Sequence, residues 1–194
     1  MKLDRAGLPF VAGALVPAVA LTLGRRARLA VPFAALAAFM AYFFRDPERL
    51  PPGGEDLVLA PADGRVVYAG PAEARVAPPG TWLQVSIFLS PLDVHVNRIP
   101  VSGVIRRVEY RPGRFLAAYR PESAYDNERN ELWIDAVGGT VVARQVVGVL
   151  ARRIVCRVTA GTAVRAGDRF GVMKFGSRMD VFVPPGSQLT TSGS

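Results

Sequence analysis

The chain has 194 residues, half of them hydrophobic and 21% charged, with 19 Gly, 16 Pro, one Cys and one His. That composition excludes intrinsic disorder and a disulfide scaffold, and Cys156 and His95 alone cannot build a Cys-based zinc site, an iron–sulfur site or a His-rich metal cluster. Basic residues outnumber acidic ones 24 to 16, with 7 basic and 3 acidic in residues 1–50 and 17 and 13 in the remainder, so no block reads as a nucleic-acid-binding tail; a basic surface with an apolar end points to anionic lipid.

Leu8 to Leu23 and Leu29 to Phe44 are charge-free apolar runs of 16 residues each, separated by Arg25, Arg26 and Arg28. Both predict helices. At about 1.5 Å per residue each reaches about 24 Å, short of a hydrocarbon core of about 30 Å, and Pro9, Pro17 and Pro32 interrupt them. A shallow or re-entrant hairpin therefore fits as well as two spans. A cleavable signal peptide competes, since Lys2 and Arg5 precede the first run, yet a second run follows directly and no small-residue cleavage pattern stands out. Burying both helices in a soluble core would require strands to wrap them on all sides, which favours membrane association. Leu50-Pro51-Pro52-Gly53-Gly54 cannot continue a helix and sets a boundary near Pro51, between a membrane-associated hairpin (residues 1–50) and a folded unit (residues 51–194).

Beyond that boundary, β-rich runs alternate with turn residues: Asp56 to Ala60, Arg65 to Ala69, Trp82 to Leu89, Val101 to Tyr110, Leu132 to Val137, Val141 to Val149, Arg152 to Thr159, Arg169 to Phe175 and Asp180 to Val183. The spacing predicts a mainly β unit, an antiparallel barrel or sandwich. No glycine-rich phosphate loop, dinucleotide fingerprint, nucleophile elbow or long repeat occurs in the sequence.

Three stretches break the strand pattern with polar residues. Asp63-Gly64 places one carboxylate in a tight turn and reads by itself as an ordinary hairpin. In Asp93-Val94-His95-Val96-Asn97, period-two alternation sends Asp93, His95 and Asn97 to one face, where a carboxylate would fix the tautomer of His95 and raise its basicity. Near the C-terminus, Gly176-Ser177 lies between strand-like runs, with Lys174 three residues before the serine and Arg178 and Asp180 after it. Two chemistries want a serine there. Ser177 could be a nucleophile deprotonated by a buried Lys174, as in membrane-anchored Ser-Lys hydrolases. Alternatively it could attack the preceding carbonyl of Gly176, a residue type that admits the strained backbone this needs.

Phe43-Phe44-Arg45-Asp46-Pro47-Glu48-Arg49, Ala60-Pro61-Ala62-Asp63-Gly64, Asp93-Val94-His95-Val96-Asn97-Arg98-Ile99-Pro100, Asn127-Glu128-Arg129 and Lys174-Phe175-Gly176-Ser177-Arg178-Met179-Asp180-Val181 occur in that order. The ordered set resembles the short form of phosphatidylserine decarboxylase proenzymes over nearly the whole chain. The resemblance implies self-cleavage between Gly176 and Ser177 into a β chain (1–176) and an α chain (177–194) that stay together as a heterodimer. It also implies conversion of Ser177 to a covalent pyruvoyl group as the cofactor, and decarboxylation of phosphatidylserine to phosphatidylethanolamine at a membrane, with Asp63, His95 and Ser177 as catalytic residues and no metal. Arg98 or Arg178 would hold the lipid phosphodiester.

The sequence departs from the family pattern twice. Longer members carry a second His where Arg98 stands, so either His95 serves alone or a different base acts, and the base for cleavage stays open. The family also continues with another strand segment after the position of Pro184, whereas here the polar stretch Pro185 to Ser194 closes an α chain of 18 residues. Arg25 to Arg28 favour the cytoplasmic face, so a monotopic hairpin with the catalytic unit on the cytoplasmic side of the cell membrane is the expected topology.

Overall fold

The computed structural model describes residues 2–52, 57–120, 122–149, 153–175 and 177–188. Strand β1 (Lys2–Leu3) leads through a 3-10 turn, Arg5–Gly7, into α1 (Leu8–Leu23) and α2 (Ala27–Phe43), and β2 (Arg45–Asp46) returns to pair with β1. Gly24 and Arg25, the latter at φ 58°, reverse the chain between the helices. Both helices are apolar almost throughout, and where they face each other their packing is inside out: apart from Phe43 at the end of α2, the buried positions are Ala14, Ala18, Ala30 and Ala37, while Leu15, Val16, Leu23, Leu29, Val31 and Leu36 are exposed. Small residues at the helix contact let the backbones approach, and the large side chains left outside are those a lipid phase would receive. Among the described residues, Arg5–Leu23 is the one helix long and apolar enough to cross a membrane by length and composition.

The rest of the described chain is mainly antiparallel β, as the sequence predicts. It comprises β3 (Arg65–Pro71), β4 (Leu83–Leu89), β5 (Val96–Arg98), β6 (Gly103–Arg111), a short α3 (Ser123–Asp126), β7 (Arg129–Ala136), β8 (Gly139–Val147), β9 (Ile154–Cys156), β10 (Ala163–Val164), β11 (Arg169–Met173) and β12 (Ser177–Val183). Seven strands form one sheet in the order β10-β6-β7-β8-β12-β4-β3, and β5-β11-β9 form a second. Among the described residues the large sheet does not close into a barrel, and the architecture is a sandwich. The small sheet covers the inner face through Phe170, Met173, Ile99 and Cys156, which pack on Leu89, Ile105, Leu132, Met179 and Val181. Residues 57–60, expected as strand, form none; Leu59 is tied by one backbone bond to Pro100, and Pro61, which has no N–H to donate, follows closely. Asp56 of that run lies outside the described residues. Of the run expected over Arg152 to Thr159, Arg152 lies outside the described residues and the remainder shortens to β9.

Strand β12 is central, with β4 on one side and β8 on the other. Alternation along it sends Ser177, Met179, Val181 and Val183 inward, while Arg178, Asp180 and Phe182 face outward. The outer face carries its own cluster of Val76, Ala124, Trp133, Val142 and Phe182.

The hairpin docks on the small sheet. Phe43, Phe44 and Phe10 pack against Val94, Val96, Val172 and Phe175, and the charged stretch after α2 locks the contact. Arg45 donates to the carbonyls of Tyr42 (2.9 Å) and Leu92 (2.7 Å), while Asp46 pairs with Arg169 (2.6 Å) and Arg98 (3.3 Å). Glu48 pairs with Lys2 and Arg169, and Arg49 with Asp63. Asp46 is buried, so removing its charge leaves two guanidiniums poorly compensated. Asp46→Asn is expected to cost about 3 kcal/mol of stability, read from denaturant unfolding of the purified chain.

Candidate active site

Ser177 opens β12, facing Leu89 of β4 and Val147 of β8. It is fully buried, and its Oγ has no hydrogen-bond partner among the described residues. A hydroxyl left that way costs about 1–3 kcal/mol, so packing alone gives no reason for a serine at this position. Gly176, the other half of the expected cleavage site, lies outside the described residues.

His95 is also buried, against the ring of Phe43 at 4.1 Å between centroids. Its Nδ1–H donates to the carbonyl oxygen of Asp93 (2.9 Å), which makes Nε2 the acceptor of a neutral ring. Nε2 is buried without a partner among the described residues. The Asp93 carboxylate raises the basicity of His95 only through space and does not hydrogen-bond to the ring, whose tautomer the Asp93 carbonyl fixes. The Asp93 carboxylate instead accepts from the backbone N–H and hydroxyl of Ser90 (2.7 and 2.8 Å), and strand β5 begins only at Val96, so Asp93 does not share its face. Burial, the largest effect, outweighs the Asp93 carbonyl and carboxylate and lowers the His95 pKa to about 4. The imidazole is therefore neutral at pH 7, a weak base with a vacant lone pair.

The segments bearing these residues meet. Met173 N–H donates to the His95 carbonyl (3.3 Å), and Phe43 touches both His95 and Phe175, the latter stacked at 4.7 Å. Asp63 lies in the turn before β3, where Arg65 faces Phe88; a Cβ on Gly64, at φ 142°, would lie 2.3 Å from the Phe88 carbonyl oxygen, so only glycine brings the turn this close to the end of β4 that flanks Ser177. Its carboxylate pairs with Arg49 (2.6 Å) and is partly exposed. Arg98 donates to the carbonyls of Gly167 (2.9 Å) and Pro47 (2.8 Å) as well as to Asp46, and lines an open cavity of about 460 Å³ with Arg49 and Arg169. Arg178 sits on the opposite face of the sheet from Ser177 and is held by Asp180 (2.7 Å) and Ser86 (2.9 Å). The Lys174 ammonium lies over the Phe10 ring, 4.8 Å from its centroid, and burial followed by Arg153 pushes its pKa down.

Sequence reasoning missed two features. Phe175 has φ 64°, a left-handed conformation that costs a non-glycine residue about 1–2 kcal/mol. The Phe43, Phe44 and Phe10 rings hold it there, two residues before Ser177. Gln145 and Asn130 are buried on the inner face, joined by a 3.1 Å hydrogen bond. The available signal was a polar residue on the apolar phase of an alternating strand: Gln145 follows Val141 and Ala143 at period two.

The β sandwich thus carries an unengaged serine on its inner face, with a neutral imidazole in the adjoining segment and an apolar hairpin docked beside both. The sequence profile of the family described as phosphatidylserine decarboxylase matches residues 36–193. Proteins named phosphatidylserine decarboxylase proenzyme are similar along most of the chain. That of Chlorobaculum tepidum is 49% identical over 78% of this chain and 69% of its own length, that of Nitrosomonas europaea 43% over 97% and 87%, and that of Azorhizobium caulinodans 43% over 99% and 83%. The chain belongs to the phosphatidylserine decarboxylase family, a family of carboxy-lyases.

Because the folded state binds a proton at His95 only near pH 4 while the unfolded chain binds it near 6.5, its contribution to stability is complete above pH 6.5 and is lost as pH falls toward 4. The full loss is about 3 kcal/mol. Denaturant unfolding at several pH values should show a steeper acid loss for the wild type than for His95→Gln; parallel curves would contradict the burial argument.

Proposed function

We infer that this chain is a proenzyme that cuts its own backbone between Gly176 and Ser177 and then, with a pyruvoyl group formed from Ser177, decarboxylates phosphatidylserine to phosphatidylethanolamine and CO2. The observation that carries the reading is the fully buried, unpartnered hydroxyl of Ser177 at the start of a central strand. Its relatives' name, proenzyme, fits the same account.

In the proposed self-cleavage, His95 Nε2 accepts the Ser177 hydroxyl proton as Oγ bonds to the carbonyl carbon of residue 176. The C–N bond breaks, the nitrogen takes a proton, and an ester joins the two halves. Loss of the α proton and departure of the residue 176 carboxylate leave dehydroalanine at residue 177; its imine tautomer is hydrolysed by water, releasing ammonia and leaving the pyruvoyl group. The left-handed Phe175 strains the chain two residues upstream, which favours its opening. The site fits the group: residue 177 begins the strand, faces inward and is shielded by packed side chains. A pyruvoyl carbonyl supplies an electron sink for the pair released as CO2 departs.

The chain's own residues would then exclude water and place charge. Phe43, Phe44 and Phe175 form an apolar wall beside His95, and a desolvated carboxylate loses CO2 more readily than a hydrated one. Asp63, at the same end of the sheet, is proposed to assist proton transfer after parting from Arg49. Arg98 is the candidate for the lipid phosphodiester because it lines the open cavity with Arg49 and Arg169; Arg178, turned to the other face, is given a supporting role. The β chain (1–176) and α chain (177–194) would remain joined through the ladders of β12, and the hairpin (residues 1–50) would hold the catalytic unit against the cytoplasmic face of the cell membrane as a monotopic anchor.

Intact mass under denaturing conditions tests the reading. Wild type should give two pieces, the smaller about 2 kDa at about 110 Da per residue and lacking a free N-terminal amine, whereas Ser177→Ala should stay whole and inactive. Lys174→Ala should still cleave; a wild-type chain that stays whole, with activity lost in Lys174→Ala, would favour a Ser-Lys hydrolase.

A further inference from the structure

Three buried amides form a polarised chain that none of these steps uses. Asn130 Nδ2 donates to Gln145 Oε1 (3.1 Å), and Gln145 Nε2 donates to Asn97 Oδ1 (2.8 Å). The chain ends in Asn97 Nδ2, which is buried with no partner among the described residues. Asn97 itself is completely buried, so this vacant donor is costly while its two neighbours are engaged. Gly171 faces Asn97 across the β5–β11 ladder, and a Cβ on it would come within 2.9 Å of Gln145 Nε2. Glycine there leaves the space in which Gln145 reaches from the large sheet to the small one.

The register brings this chain to Ser177. Gln145 faces Met179 as Val147 faces Ser177, so Gln145 is the diagonal neighbour of Ser177 on the inner face, at about 7–8 Å by strand geometry. Asn97 follows His95 by two residues. The vacant donor on Asn97, the vacant acceptor on His95 and the vacant hydroxyl of Ser177 thus belong to one part of the interior.

We propose that Asn97 is a catalytic residue of the self-cleavage, its Nδ2–H donating to the carbonyl oxygen of the peptide that Ser177 attacks, with Gln145 and Asn130 as positioning residues that keep this donor turned toward the reaction. The proposal rests on the self-cleavage reading. As the Oγ–C bond forms, the carbonyl π pair moves onto that oxygen; when the C–N bond breaks, the pair returns to make the ester carbonyl and the nitrogen takes the proton held by His95. A fixed donor in a dry interior stabilises the transient oxyanion without reorganising, and the relay behind it strengthens the bond. The substrate carboxylate is a poorer partner, because it loses its charge during decarboxylation and a donor bound to it would oppose the reaction.

The test follows cleavage of the full-length chain over time by denaturing gel and intact mass, with and without hydroxylamine, which cuts the ester. Asn97→Asp keeps the acceptor for Gln145 and removes the donor. It should slow cleavage about 10²-fold, and hydroxylamine should not restore scission because the ester itself forms slowly. Gln145→Glu draws the Asn97 donor away and should slow cleavage in the same way, with the thermal midpoint showing that the variant is folded. If either charged variant fails to fold, Asn97→Ser and Gln145→Met decide in its place. A folded Asn97 variant that cleaves at the wild-type rate, or one whose scission hydroxylamine restores, overturns the proposal, whereas a wild-type chain that stays whole overturns the self-cleavage reading.

Discussion

The site depends on one shared carboxylate. Asp46, buried where α2 ends, accepts from Arg169 of β11 and Arg98 of β5, and so stitches the hairpin to two strands of the small sheet at once. Aromatic packing against Val94, Val96 and Val172 supplies area without direction. The ion pairs supply the register: with Arg45 on the Leu92 carbonyl and Arg49 on Asp63, successive residues of one short segment fix the loop leading to His95 and the turn leading to β3. Each exposed pair is worth little alone; the buried carboxylate makes the set cooperative, because moving it would strand two guanidiniums. The hairpin is consequently part of the candidate site, since Phe43 at its base packs on the His95 ring.

That construction explains how the interior tolerates so many unsatisfied polar atoms. Among the described residues Ser177 Oγ, His95 Nε2 and Asn97 Nδ2 all lack partners, and together they oppose folding by several kcal/mol on the usual scale of about 1–3 each. The central position of β12, with ladders on both sides, and the aromatic cluster at the hairpin base offset that cost. The left-handed Phe175 belongs to the same balance: its ring is gripped by Phe43 and Phe10, so a conformation unfavourable to the backbone is held by side-chain packing. On the outer face buried charges pair, as in Arg178 with Asp180 and Arg144 with Glu131, although Asp180 Oδ2, Gln84 Oε1 and Trp133 Nε1 also lack hydrogen-bond partners among the described residues.

Much of this was legible in the sequence because period and charge report burial directly. The two apolar runs became helices within two residues of their predicted ends, and alternation located most strands of the large sheet. The ordered motifs located Ser177 and His95, and the family comparison bears out the resemblance they carried. What the sequence did not disclose is contact. Nothing in Asp46 announces that it serves two arginines 52 and 123 residues away. Alternation placed Asp93 beside His95, but a local bond to Ser90 turned its carboxylate away, because short polar side chains satisfy nearby backbone before distant partners. That Arg98 and Arg178 also have internal acceptors is equally invisible to a one-dimensional reading.

The location of Ser177 also bears on what the proposed cut would do to the fold. A cut before β12 removes no rung from either ladder, since all seven residues from Ser177 to Val183 lie on its far side. The small product would thus stay fixed by main-chain bonds on two edges and by Met179, Val181 and Val183 in the core, whatever the polar residues beyond contribute. On the near side, the strained Phe175 becomes free to relax once the covalent tether is gone. The proposed cut would thus release strain on one side of the bond and keep the β12 ladders on the other, so the serine-derived group would stay where the intact chain places it.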